Sequence, residues 1–257
     1  MTGPLARLPS RALWREPALW TAALLLALAL GMERLKPLFA WAFPQLARPL
    51  YEQDSFADLL LAHVALVAGS SGLAAVVGIG AGIAVTRGAG RAWRPVVETL
   101  VAIGQTVPPV AVLAIAVPLV GYGTAPTLLA LVLYGLLPVL RGTIAGLAAV
   151  PAAVCEAARG AGMRPWQQLL WAELPLAWPG VLAGLRSSVA INIGTAAIAA
   201  TVGVRSLGSP IIVGLSGFNT AYVLQGALLV ALLALAVDQG FARAARAAQR
   251  HRPGAGG

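Results

Sequence analysis

The reactive side chains of this 257-residue chain are few: two histidines (His63 and His251), one cysteine (Cys155) and nine carboxylates. A zinc-type centre needs three or four such ligands gathered together, and these are too scarce and too scattered along the chain to supply one. Cys155 has no partner for a disulfide and reads as a small apolar filler. Gly69-Ser70-Ser71-Gly72 matches the G-x-S-G pattern of a serine nucleophile. Such a serine needs a base able to take its proton. His63 precedes Ser71 by eight residues in the same apolar run, and His251 lies in the C-terminal tail. Neither is placed to serve, and close helix packing by small residues accounts for the motif. No glycine-rich phosphate loop ending in Lys-Ser or Lys-Thr occurs, so ATP chemistry is not expected on this chain and no cofactor is expected to bind it. What remains is a sparse set of uncharged polar groups inside apolar runs: Gln105 and Thr106 beside Pro108-Pro109, Tyr134, and Asn192 with Thr195. Groups of this kind can line a passage for a solute. The proline pair removes two backbone donors and breaks a helix, freeing carbonyls toward a cavity. Asn192 and Thr195 are three apart and share a helix face.

The elements that carry these groups are set by composition. Hydrophobic residues make up 59% of the chain and charged residues only 11%, with a mean hydropathy of +0.82. Soluble domains carry about 25% charged residues, so this chain has too little polar surface to remain in water. The apolar runs exceed the roughly 18 residues that mark a membrane span. Helices are expected at about 17–32, 58–86, 96–121, 124–141, 179–204 and 220–241, giving an all-α polytopic membrane protein with six spans. The first run follows three arginines, yet Glu33, Arg34 and Lys36 come next rather than a small-residue cleavage site. It is therefore expected to be a retained anchor.

The net charge of +9 is no nucleic-acid signature, because the basic residues sit between apolar blocks. Fourteen of the eighteen fall in the N-terminal tail, the 87–95 loop, the 141–186 stretch and the C-terminal tail. Only Arg34, Lys36, Arg48 and Arg205 lie on the other side. That asymmetry places both termini in the cytoplasm. Residues 1–57 then comprise a tail, the first span and an aromatic-rich segment expected to lie along the outer interface, and residues 58–241 form the core. Residues 242–257 form a basic cytoplasmic tail. The carboxylates Asp58, Glu98 and Asp238 fall near span edges, which speaks against an ion-driven carrier.

The longest inner connection, residues 142–178, has internal structure. Pro151 suits a first helical turn and Ala152 to Ala158 is a strong helix-forming run. Gly162 can end that helix in the left-handed region, and Pro165 prevents its continuation. Glu156, near the helix start, is expected to interact with the helix dipole or with a basic partner. Glu156-Ala157-Ala158, Gly162 and Leu174-Pro175, at these distances and before the penultimate span, resemble the EAA loop of ABC importer permeases. Ala172 stands where that pattern usually has isoleucine. The resemblance implies a type I (MetI-like) importer fold in which this loop is a coupling helix docked on a cytoplasmic ATPase.

Further segments narrow the likeness. Residues 103–109, Tyr134-Gly135-Leu136-Leu137-Pro138, Ala190 to Ala196 and Gly203 to Leu215 are similar to permeases of glycine betaine, carnitine and choline import systems. The likeness spans roughly residues 58–240. It implies a bacterial inner-membrane location and ATP used by two partner ATPase subunits. It also implies a second permease, identical or related, and an extracytoplasmic substrate-binding protein. The same architecture could import another solute such as an amino acid, and an intramembrane protease is the rival from outside transport. Quaternary ammonium ligands are usually held in aromatic cages, and none can be read within the spans, so selectivity is expected mainly in the separate binding protein.

Overall fold

The computed structural model describes residues 17–250, which are helical throughout their ordered elements with no strand among them. Arg7, Arg11, Arg15, His251 and Arg252 lie outside the described residues. Helix α1 runs over Pro17–Gly31, and a short α2 over Lys36–Ala42 continues it after a single tight turn. The remaining long helices are α3 (Phe56–Ala84), α4 (Arg94–Thr106), α5 (Pro109–Val120) and α6 (Thr124–Ala148). After them come a short α7 (Ala152–Gly160), then α8 (Leu174–Thr195), α9 (Gly208–Ser216) and α10 (Thr220–Arg250). Five stretches are long and apolar enough to cross a membrane, and a sixth arises if α4 and α5 count as one span.

The expected third span, 96–121, is therefore not a straight rod. Its two halves meet at 93° around Val107-Pro108. Two consecutive prolines remove two ladder donors, and the residue before a proline is pushed to extended backbone, as Val107 is with ψ near 123°. The fourth span is longer than its apolar run suggested and reaches Ala148. The fifth starts at Leu174 rather than 179 and passes into a tighter turn over Ala196–Val202. The sixth runs on to Arg250, so residues 242–250 continue its helix. The sequence reading missed α9, a short helix opened by glycine and proline between the last two spans.

The long helices α6 and α8 approach each other closely. A Cβ on Gly142 would lie 2.7 Å from the Gly180 carbonyl oxygen, and one on Gly146 would lie 2.4 Å from that of Ala177. Gly180 and Gly184 face the same seam from α8. Small residues let two backbones meet where no solvent drives them together, so dispersion contacts hold the pair. Helix α3 packs on the other side of α6, with Gly78 against Val139 and Gly82 against Thr143. Leu59, Leu131, Ile193, Leu207 and Leu229 form the fully buried centre of the main core.

The segment expected along the outer interface is partly drawn into that core. Phe39, Tyr51 and Phe56 are buried, whereas Trp41 is 79% exposed. Tyr51 meets Phe56 and Tyr222 edge-on. The buried Gln225 side chain accepts from the Tyr51 amide and donates to the Pro49 carbonyl, which pins this segment to α10. Burial, with the Asp54 carboxylate beside it, pushes the Tyr51 phenol up to about 12, so the hydroxyl stays protonated and donates to Asp54.

Candidate coupling loop and interior polar groups

Helix α7 begins at Ala152, with Pro151 just outside it in extended backbone. It ends as its composition demands. Gly162 has φ of +77°, the Met163 amide donates to the Ala158 carbonyl at 3.1 Å, and the Ala161 amide to that of Ala157 at 2.9 Å. This left-handed exit satisfies the last carbonyls and turns the chain back at once. Ala158 is the buried residue of the helix, while Glu156 and Ala157 are exposed. Glu156 is the fifth of nine residues, outside the first turn, so the dipole role expected for it falls away because that effect does not reach past the first turn. Its carboxylate faces outward instead.

The return strand of the loop is where sequence reasoning fell short. Pro165–Gln167 forms one turn, fastened by the Gln167 side chain accepting from the Arg164 amide. The backbone then widens into a π-helical stretch over Gln168–Glu173 before Leu174-Pro175 opens α8. Glu173 is 5% exposed. Arg87, three residues beyond the end of α3, holds both of its carboxylate oxygens, and Gln168 donates to one of them at 2.7 Å. Arg87 had been counted only as a loop charge. One signal was available: Glu173 and Glu156 are the two carboxylates of residues 142–178, and a carboxylate adjoining Leu174-Pro175 must find a partner if buried. Leu174 is half-buried and Pro175 exposed at the head of α8.

The interior polar residues fall in two places joined by α6. At the helix break, the Gln105 amide donates to the Tyr134 carbonyl and the Tyr134 hydroxyl donates to the Val107 carbonyl. The backbone oxygen at the proline break is thus occupied by a side chain rather than left bare. Thr106 beside it is exposed, its hydroxyl turned back to the Ile103 carbonyl at 2.8 Å. One residue on, Gly135 faces α8, where a Cβ would sit 2.6 Å from the Ser188 hydroxyl and 2.9 Å from the Asn192 amide nitrogen. Asn192 is fully buried and donates to Ser71 at 3.0 Å and Ser70 at 3.3 Å, tying α8 to α3. Thr195, on the next turn, is only half-buried, so the two do not share an environment.

The serine pair is thereby used as hydrogen-bond acceptors across a helix contact. His63 turns the other way and bonds the Ile193 carbonyl at 3.0 Å. No histidine contacts Ser70 or Ser71 among the described residues, and the protease constellation is not assembled. A further correction concerns charge. Arg186, counted with the inner loop, lies inside α8 and forms a bidentate ion pair with Asp238 of α10. Among the described residues no group of three or more histidine, cysteine or carboxylate side chains is gathered to hold a metal.

An apolar helical bundle with a broken span and a short turned-back helix before its penultimate span is the fold of type I (MetI-like) ABC importer transmembrane domains. Solved structures share this fold. The MetNI methionine ABC transporter in an inward-facing form aligns with a TM-score of 0.66 and 22% identity, covering 77% of this chain and 99% of that one. An amino acid ABC transporter aligns with a TM-score of 0.60 and 16% identity over 87% of this chain and 98% of that one.

Residues 74–248 match the family of binding-protein-dependent transport system inner membrane components, and the chain belongs to that family. Relatives include the osmoprotectant import permease protein OsmY of Salmonella typhimurium, 43% identical over 68% of this chain and 75% of that protein. The glycine betaine/carnitine/choline transport system permease protein OpuCB of Bacillus subtilis is 37% identical over 68% of this chain and 79% of its own length. The choline transport system permease protein OpuBB of the same organism is 40% identical over 57% of this chain and 68% of its own.

Proposed function

We propose that this chain is the transmembrane subunit of an ATP-driven importer for a small osmoprotectant such as glycine betaine, choline or carnitine. The observation that carries the mechanism is the α7 hairpin: an exposed Glu156 and Ala157 on a helix that exits sharply at Gly162 and returns to a buried Glu173–Arg87 anchor. Such a hairpin transmits force because its outer side is free and its inner side is bonded to two spans. A nucleotide-driven movement of a docked partner would shift α7. The Arg87–Glu173 pair would then carry the displacement into the end of α3 and the start of α8, and the glycine seam would pass it to α6. Residues Glu156, Ala157, Ala158, Gly162, Leu174 and Pro175 form the coupling surface in this reading. Two cytoplasmic ATPase subunits would supply the energy, with both termini of the chain on their side of the inner membrane.

A second permease subunit would complete the pathway, and an extracytoplasmic binding protein would deliver the solute. The exposed Thr106 and the Gln105–Tyr134 bridge at the helix break are the pathway residues this geometry favours, since a broken span brings polar groups to a cavity without exposing backbone to lipid. The solute class rests on the relatives' substrates. Reconstitution with a partner ATPase and an osmoprotectant-binding protein should give ATP-dependent uptake of labelled glycine betaine, choline or carnitine. Uptake of an amino acid with none of these would overturn the solute assignment, and no ATPase stimulation on assembly would overturn the coupling role.

A further inference from the structure

Arg186 and Asp238 are the one charged pair that joins two membrane-spanning helices along their lengths among the described ion pairs. Arg186 Nε donates to Asp238 Oδ1 at 2.5 Å and Nη2 to Oδ2 at 2.7 Å. Arg186 lies twelve residues past the start of α8, about 18 Å along its axis at 1.5 Å per residue. Asp238 lies eight residues before Arg246, about 12 Å by the same rise. Both helices belong to stretches long and apolar enough to cross a bilayer. Ionised groups on membrane-spanning helices are rare and mark functional sites by default.

The pair is not sealed. The two side chains remain 45% and 41% exposed and open on a cavity of about 390 Å³ between α8 and α10. Trp178 and Phe241 supply its aromatic walls, Leu182 and Ala190 its aliphatic ones. Its one hydroxyl, that of Ser187, is already turned to the Ala183 carbonyl. Arg186 and Asp238 are thus the only charges lining it. That volume falls in the range of small-molecule pockets, about 300–1,000 Å³.

We propose that this cavity is a binding site for a small zwitterion, which enters by exchanging partners with the Arg186–Asp238 pair. The ligand's anionic group takes the planar guanidinium fork of Arg186, which suits a carboxylate or phosphate with two parallel bonds. Its cationic group takes the Asp238 carboxylate and the aromatic walls, as quaternary ammonium ions do. The exchange conserves charge: two ion pairs replace one, and neither protein charge is left alone. A simple cation or a simple anion would take one of them and leave the other without its partner on the wall of an otherwise apolar cavity, a cost that a zwitterion avoids. The site therefore discriminates zwitterions from cations, a distinction the sparse aromatic content of the spans could not make alone. Two sources present this chemistry: a free betaine-type solute, or the headgroup of a zwitterionic phospholipid. The free-solute form rests on the transport function proposed above.

The test uses the importer assembled with its ATPase, without binding protein, in nanodiscs of phosphatidylglycerol alone or with added phosphatidylethanolamine. Saturable binding of labelled glycine betaine that excess choline does not displace is expected in the phosphatidylglycerol discs. Arg186→Gln and Asp238→Asn should each weaken it about tenfold or more, the loss of one charged hydrogen-bonding partner. The double variant, which leaves no lone charge and so guards against misfolding, should bind no betaine while still assembling with the ATPase. If betaine does not bind but phosphatidylethanolamine is retained by the natural protein and lost from the double variant in native mass spectra, the zwitterion is a lipid headgroup and the site stands. Retention of neither, choline binding equal to betaine binding, or undiminished betaine binding in the double variant overturns it. Uptake with the binding protein present separates the two claims: uptake without binding here sinks only the site, and binding without uptake sinks only the transport assignment.

Discussion

Glu173, five residues past the π-helical widening's first residue, is clasped by Arg87 from just beyond a helix end 86 residues earlier in the chain. The carboxylate is almost fully buried, while the guanidinium keeps about a third of its surface exposed. The relationship makes the loop that carries α7 a bonded extension of α3 as well as of α8.

Because the two partners differ in burial, their removal should differ in cost. Arg87→Ala strands the Glu173 carboxylate and should destabilise the assembled protein by about 2–3 kcal/mol, below the usual cost of breaking a fully buried pair because Arg87 is partly solvated. Glu173→Gln leaves Arg87 a route to water and keeps an acceptor for it, so about 1 kcal/mol is expected. Thermal unfolding of the purified complex checks the order. Both variants should reduce uptake per ATP hydrolysed. Equal uptake efficiency in all three proteins would remove the anchor from the coupling path.

At Gly162 the backbone itself sets the requirement. Gly162→Val places a β-branched residue at φ +77°, at a cost of about 1–2 kcal/mol, and should uncouple ATP hydrolysis from uptake while the chain still inserts. Gly160→Ala is the matched control, for Gly160 has open space around it and lies within the helix. Unaltered coupling in Gly162→Val, measured as the uptake-to-hydrolysis ratio, would argue against the hairpin's role.

The α6–α8 seam should tolerate no side chain. Gly142→Val sets new atoms against the backbone of Gly180 and Gly184 and should lower stability by about 1–3 kcal/mol or more, with loss of folded yield. Gly72→Ala, with nothing near its Cβ, should be neutral. Detergent melting curves of the two variants provide the comparison.

Tyr134→Phe deletes the hydroxyl that satisfies the Val107 carbonyl at the helix break. An unpartnered backbone oxygen costs about 1–3 kcal/mol, so a lower melting temperature is expected, together with altered uptake if the break lines the passage. No change in either would mean that water or lipid headgroups reach that carbonyl as readily as the tyrosine does.

How far the chain could be read in advance varies with the range of the interaction. The break at Val107-Pro108 and the exit at Gly162 were both legible, because proline lacks a donor and glycine tolerates positive φ wherever they stand. The role of Asn192 was less so. Its spacing to Thr195 suggested a common lining face, yet it turned inward to Ser70 and Ser71. Helix α9 escaped notice because nine residues opened by Gly208-Ser209-Pro210 look like a connection rather than a helix.

Run length and helix-breaking residues are properties of a local window, and they determined the membrane class, five of the spans and the place of the short hairpin before the penultimate one. The partners were decided only by the tertiary structure: Arg87 with Glu173, Tyr134 with Val107, Arg186 with Asp238. Helices such as α3 and α8 are apolar nearly all round, so their sequences hold no amphipathic stripe to show which face turns toward which neighbour. Rotation about each axis is chosen by where glycine lets two backbones meet, and that contact forms only when the whole bundle packs.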